Sequence, residues 1–324
     1  MILAAASGCD NVSWGGIDVA LQGPPAREAA PTDAAAPAEP ALPELPQGPV
    51  LFRVDRTGER SILTPVGEIQ GNALLPLSTE TDQPGFRDYF QQQRMEADRE
   101  FVLFAGGVRV GRFVAGDSAW VDAEACARPG AVSGLVEVVP GAATATRFLA
   151  LDAAHADSVT RAAYASTVVE QGWRATAANV AGTVIMDAGA RWPPSMAGAR
   201  GDVQVVHFDP DEPPLIAGSY LYQDRMAIAE APPSSYSFFY LAENRGTGYR
   251  FSYYWFRVSD SEGKGAARYF GHLDWDGDGR AEVLLEVLGA DARWHAALTR
   301  TESGFERTFE DPCGTPDQQA APGA

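Results

Sequence analysis

The stretch Tyr249-Arg250-Phe251-Ser252-Tyr253-Tyr254-Trp255-Phe256-Arg257-Val258 decides how the chain is read. Tyr249, Phe251, Tyr253 and Trp255 stand at every second position. A period of two belongs to an extended strand, whose successive side chains point to opposite faces. The spacing therefore predicts a strand over 249–258 with these four aromatics on one face. Outward from it, short apolar runs recur at 101–105, 108–114, 134–139, 147–151, 203–208, 215–222 and 235–241, separated by Gly, Pro, Asp and Asn. Runs of this length between turn formers mark a sheet-rich chain. Fifteen of the 32 aromatics fall between Tyr220 and Trp275. Aromatics favour strands and bury much area, so this density reads as a sheet core; the other reading is an open platform for sugars or other flat ligands. The expectation is a mostly β protein of antiparallel sheets, a β-sandwich or partial propeller, with one or two short helices.

Two segments read as helices. Residues 86–95 are rich in Gln and Arg and follow Pro84-Gly85. Residues 158–171 have Asp157 as N-cap, Val159, Ala162, Ala163 and Val169 at helical spacing, and Gly172 as a stop. This second helix interrupts the strands, which divides the body into regions 50–150 and 151–313.

With 45% hydrophobic and 21% charged residues in 324, the composition is globular. A net charge of −18 excludes nucleic acid as a partner, because phosphate binding needs a basic surface. No stretch approaches the ~18 apolar residues of a membrane-spanning helix. Lys264 is the single lysine among 25 cationic residues. The chain has no G-x-S-x-G, H-E-x-x-H, P-loop or Rossmann fingerprint. His155, His207, His272 and His295 are scattered, and Gly116-Asp117-Ser118 reads as a turn. No catalytic residue emerges. The expected role is non-catalytic binding or scaffolding. The alternatives are a hydrolase with a dispersed site around Ser118, or an accessory subunit whose aromatic face meets a partner.

The chain begins Met1-Ile2-Leu3-Ala4-Ala5-Ala6-Ser7-Gly8-Cys9-Asp10. Small residues before a cysteine suit a signal peptidase. The run Ala6-Ser7-Gly8-Cys9 resembles the lipobox of bacterial lipoproteins. That resemblance implies a truncated signal peptide over 1–8, lipidation of Cys9, export to the cell envelope and a membrane as partner. Residues 22–49 are mostly Pro, Ala and Glu. Proline at this density forbids a continuous helix and favours an extended spacer. Residues 9–49 are thus expected to tether the body to its anchor, with 12–21 either a docking element or unstructured. The envelope partner is expected to be a protein or a carbohydrate. With Cys9 lipidated, Cys126 and Cys313 remain, an even pair that forms a disulfide in an exported protein or stays as two buried thiols. Residues 314–324 read as a disordered tail.

Residues 270–288 carry the clearest chemistry: Phe270-Gly271-His272-Leu273-Asp274-Trp275-Asp276-Gly277-Asp278-Gly279-Arg280-Ala281-Glu282-Val283-Leu284-Leu285-Glu286-Val287-Leu288. Asp274, Asp276 and Asp278 alternate, and carboxylates this close repel unless a cation lies among them. Calcium takes six to eight oxygens at ~2.3–2.6 Å. Gly277 and Gly279 permit the tight curl, and the carbonyl of Arg280 and carboxylate of Glu282 complete the expected Ca2+ ligands. An EF-hand needs a bidentate Glu at loop position twelve; here that position is Leu285. The pattern D-W-D-G-D-G-R-A-E-V-L-L instead resembles the FG-GAP repeat of integrin α chains. That resemblance implies a calcium loop joining two strands of a propeller blade, followed by strands over 293–300 and 304–310. The alternative is an acidic turn without metal.

Overall fold

The computed structural model describes strands Asn11–Trp14 (β1) and Ile17–Ala20 (β2) and residues 45–77, 84–156, 169–209, 211–260 and 263–312. The chain forms two compact units, Met1–Ala41 and Leu42–Ala324. In the first, β1 and β2 pair as an antiparallel hairpin, with Asn11 opposite Ala20. The remaining expectations for residues 1–44 and 313–324, including lipidation of Cys9, the Pro-rich tether and the tail, lie outside the described residues.

The second unit is mostly β, and its named strands pair antiparallel throughout. Its first part is a closed barrel that the sequence reading did not anticipate. Six strands form it: Val50–Thr57 (β3), Arg60–Gln70 (β4), Glu100–Ala105 (β6), Val108–Val121 (β7), Gly130–Val138 (β8) and Arg147–Asp152 (β9). The order β3-β9-β6-β7-β8-β4 closes because β3 pairs with both β9 and β4. Ala73–Pro76 (β5) adds to β4 outside the ring. Val50, Phe52 and Val54 of β3 point into the barrel core with Phe101, Phe113 and Phe148. The helix Pro84–Arg94 (α1) gives Phe86 and Phe90 to the same core, in agreement with the helix expected at 86–95. Residues 45–49, expected in the tether, belong to the body. Leu45 packs on the barrel core, and the Gly48 N–H donates to Glu68 Oε1 at 2.6 Å.

Two four-stranded meanders follow. The first comprises Arg200–Val206 (β10), Leu215–Tyr222 (β11), Tyr236–Asn244 (β12) and Tyr249–Val258 (β13). The second comprises Ala266–Leu273 (β14), Glu282–Leu288 (β15), Arg293–Arg300 (β16) and Phe305–Glu310 (β17). One face of the second meander packs on the first, through Val283, Leu285 and Val287 against Phe239, Leu241 and Trp255. Its other face packs on the barrel exterior, through Phe270, Leu284 and Phe309 against Leu51, Val102 and Leu149. Every residue of β15 is consequently buried. Its near-continuous apolar sequence is what a strand covered on both faces requires.

The outer face of the first meander is covered by the helix Gln171–Asp187 (α2). Ala177 and Ala181 keep α2 slim enough to lie on the aromatic strands, and Tyr240 Oη donates to the Ala177 carbonyl at 2.7 Å. This helix corrects the second helical expectation. Residues 157–168 lie outside the described residues, and Gly172, expected to stop a helix, sits in the first turn of α2. The glycine that ends it is Gly189, in the left-handed conformation (φ 60°) that terminates helices at low steric cost. A third short helix, Met196–Ala199 (α3), follows.

The strand that opened the sequence reading is present over the same residues, but its four aromatics do not share a face. Leu241 pairs with Tyr253 and Ala242 with Phe251, so Ser252 is an extra residue, a β-bulge. A bulge shifts the alternation by one residue. Tyr249 and Phe251 therefore face α2, while Tyr253 and Trp255 face the second meander. Both faces are covered, so these aromatics fill cores and form no open platform.

A buried ionic network joins the barrel to the second meander. Arg53 on β3 is only 2% exposed and donates from Nη1 to Glu286 Oε1 of β15 at 2.7 Å. It also lies 2.9 Å from His295 Nε2, which must accept, so the imidazole proton sits on Nδ1 facing Asp311. Arg268 holds the second oxygen of Glu286. Burial alone would push Glu286 up; the guanidinium groups of Arg53 and Arg268 outweigh it and hold the carboxyl far below the usual range. The lone Lys264 is likewise buried, its ammonium 2.7 Å from Asp224.

Arg53→Met is expected to cost ~3–5 kcal/mol in urea unfolding, because it strands much of the Glu286 charge in the interior. Glu286 has a depressed folded pKa, so its stabilisation is present above the ordinary value of 4.5 and is lost as pH falls below it. Acid titrations of unfolding free energy should show that loss in the native protein and lack it in Glu286→Gln.

Candidate metal centre

The candidate loop runs from Asp274 to Ala281 and joins β14 to β15, so its flanks are strands and not helices. Gly277 (φ 78°) and Gly279 (φ 86°) both adopt the left-handed region that the curl demands. The loop folds on its own carboxylates. Gly277 N–H donates to Asp274 Oδ1 at 2.8 Å and Gly279 N–H to Asp274 Oδ2 at 3.0 Å. Asp278 N–H donates to Asp276 Oδ1 at 3.0 Å. These bonds gather the acidic side chains towards one centre. Trp275, between the first two aspartates, is buried in the cluster shared by the barrel and the second meander.

Three carboxylates converge. Asp274, Asp276 and Glu282 each bring an oxygen to a group whose members lie within 4.8 Å of one another. Glu282 begins β15 and is 1% exposed. Its Oε2 accepts from the Trp275 N–H at 3.1 Å, but its Oε1 is buried with no hydrogen-bond partner. Burial, together with the charges of Asp276 and Asp274, pushes Glu282 up to about 8. Asp276 is also raised, first by burial and then by Asp278 and Asp274. A buried carboxylate oxygen without a donor, facing two like charges, is an expensive arrangement unless a cation lies there. The donor set is all oxygen, which suits a hard divalent ion.

Of the residues expected as ligands, the structure brings together Asp274, Asp276 and Glu282. Asp278 is exposed and stands outside the group; its Oδ1 accepts from the Arg280 N–H at 2.7 Å. Arg280 is exposed. The sequence reading did not single out Glu286, four residues after Glu282 on the same barrel-facing side of β15. A second acid inside a buried apolar run was the available signal.

Cys126 lies in the β7–β8 loop and is disulfide-bonded; Cys9 and Cys313 lie outside the described residues. This loop hooks onto the start of β16, with Cys126 N–H donating to the Arg293 carbonyl at 2.9 Å and Arg293 Nη2 2.5 Å from Asp122. Asp311, two residues before Cys313, bonds to His295 of the same strand. Ser118 is exposed on the bulged part of β7 and has no histidine partner among the described residues. No family model, curated protein or solved structure matches this chain.

For metal-free protein the sign of the pH effect follows from the raised Glu282. Its folded pKa lies above the ordinary 4.5, so stability is lost as pH rises from there through about 8. Melting curves in EDTA should fall over that interval for the native chain. Glu282→Gln should remove this contribution and melt higher than the native chain at the alkaline end.

Proposed function

We propose that this chain is an exported binding or scaffolding module, free of chemistry of its own, whose body is stabilised by calcium. The observation that carries the reading is Glu282 Oε1, buried and unpartnered beside Asp274 and Asp276. In the metal-bound form, Asp278 and the Arg280 carbonyl join these three carboxylates. Calcium fits better than magnesium because a flexible loop of many oxygens suits its irregular cage, whereas magnesium demands near-octahedral geometry and keeps its waters. The place of the loop, in the first hairpin of a four-stranded antiparallel sheet, supports the resemblance to an FG-GAP repeat. Bound metal would fix the hairpin that seats Trp275 between barrel and meander.

The lipobox-like run at Cys9 supports anchoring at the cell envelope, with the Pro-rich segment holding the body away from the membrane. Cys313 is the proposed partner of Cys126. Cys126 bonds to the Arg293 carbonyl at the start of β16, and Asp311, two residues before Cys313 in sequence, bonds to His295 of that strand; closing a loop of 187 sequence steps contributes up to about 5 kcal/mol in the loop-entropy treatment.

Thermal unfolding with excess EDTA and then with ~10 mM calcium tests the metal. For an extracellular-class Kd of ~10⁻⁴–10⁻³ M, calcium should add about 1.4–2.7 kcal/mol and raise Tm by several degrees. Asp276→Ala and Glu282→Gln should abolish the gain. An unchanged Tm in the native chain would reduce the loop to an acidic turn. Non-reducing peptide mapping should recover one cross-linked species containing Cys126 and Cys313; a Cys126–Cys9 species would overturn both the pairing and the anchor.

A further inference from the structure

A cleft of about 340 Å3 opens where three parts of the body meet. The barrel contributes the end of β6 and the approach to β9, the first meander the end of β10, and the second meander β14. Its volume lies at the low end of the ~300–1,000 Å3 typical of small-ligand sites. Its electrostatics depart from those of the chain. The protein carries 43 acidic residues against 25 basic, yet no Asp or Glu is among the residues lining this cleft.

The walls carry one permanent cation and several neutral polar groups. Arg147, at the head of β9, is half-buried and donates from Nη1 to the Tyr269 carbonyl at 2.9 Å. It also forms an ion pair with Asp202 at 3.8 Å, a separation too long for a hydrogen bond, and Asp202 accepts from Gln204 Nε2 at 3.0 Å. A guanidinium has five N–H donors, so these contacts leave most of the fork for a ligand. Thr144, Thr146 and His207 stand exposed on the rim, and Gln204 is half-buried beside them.

The inner wall is rigid. His272 is buried there. The Tyr269 hydroxyl lies 2.6 Å from its Nδ1, and its ring centroid lies 4.4 Å from that of Phe208. The β6–β7 turn closes over this imidazole only because residue 107 is glycine. Gly107 has φ 73°, and a Cβ there would come within 2.7 Å of His272 Nε2.

We propose that this cleft binds a small carboxylate-bearing polyol, the chemistry of an acidic sugar residue. The Arg147 fork matches a planar carboxylate in two-point geometry. One cation is a poor match for a doubly charged phosphate, which argues for the carboxylate. Thr144, Thr146, Gln204 and His207 both donate and accept, as sugar hydroxyls require. The proposal rests on the reading of the chain as a binding module and is independent of the metal loop.

The test is a chemical-shift titration of the calcium-loaded full chain with D-galacturonate, D-galactose and acetate. Galacturonate should shift amides at 144–147 and 204–207 saturably. Galactose and acetate, each lacking half of the recognised chemistry, should bind about tenfold more weakly or worse. Arg147→Gln should weaken galacturonate about tenfold or more. Because Arg147 also holds the Tyr269 carbonyl, two rim variants accompany it: His207→Ala should weaken binding and Thr146→Trp should block it. Absence of saturable shifts up to tens of millimolar overturns the proposal. So does equal affinity for galacturonate and either smaller probe, or unchanged affinity in Thr146→Trp. A saturable galacturonate titration alongside an EDTA-insensitive Tm supports the cleft and counts against the metal loop alone.

Discussion

A strand buried on both faces cannot carry an uncompensated carboxylate, and β15 carries two. It lies between the barrel exterior and the first meander, so water reaches neither side. At Glu286 the compensation is covalently part of the protein: Arg53 from the barrel and Arg268 from the adjacent strand supply the charge. At Glu282 the neighbours are Asp274 and Asp276, which have the wrong sign. The same strand thus shows how this fold neutralises one buried acid with its own cations, and where it supplies none for the other. Ion pairs of this kind contribute little net stability over a well-packed apolar core, because desolvation offsets attraction. What they impose is position, since the barrel must meet the meander where Arg53 reaches Glu286.

The layers follow from that seam. Barrel, second meander, first meander and α2 stack in turn, each apolar face covered by the next. The acidic loop and the β7–β8 loop carrying Cys126 both connect to the second meander, one through Trp275 and the other through Arg293. The proposed polar-ligand cleft opens where the barrel meets both meanders. Candidate metal site, covalent cross-link and cleft therefore all depend on how the second meander is held, although they are far apart in sequence.

Much of this was legible where local chemistry was unambiguous. The strand at 249–258, the strands expected at 293–300 and 304–310 and the helix expected at 86–95 stand within one or two residues of where the sequence placed them. The failures have specific causes. Ser252 inserts a bulge that no periodicity reports, because the extra residue is defined by the partner strand β12. Gly172 looked like a helix stop, since glycine suits such a position, yet it is equally tolerated in a first turn. The helix that was missed, α2, places alanine and glycine among its buried positions and Met186 on its exposed side, so the contrast between its faces is too weak to show as an amphipathic stripe.

By itself the sequence determined a β-rich chain, an acid-loaded curl between two strands and the absence of a basic surface, because alternation, glycine spacing and charge are local or additive properties. Tertiary structure alone decided that β3 closes a barrel with β9 across almost a hundred residues. It also decided which of the loop's acids converge and that Glu282 is buried. Those facts depend on pairings and layers whose partners are remote in the chain. A carboxylate's need for a cation is set by what covers it, and burial is a property of the packed molecule.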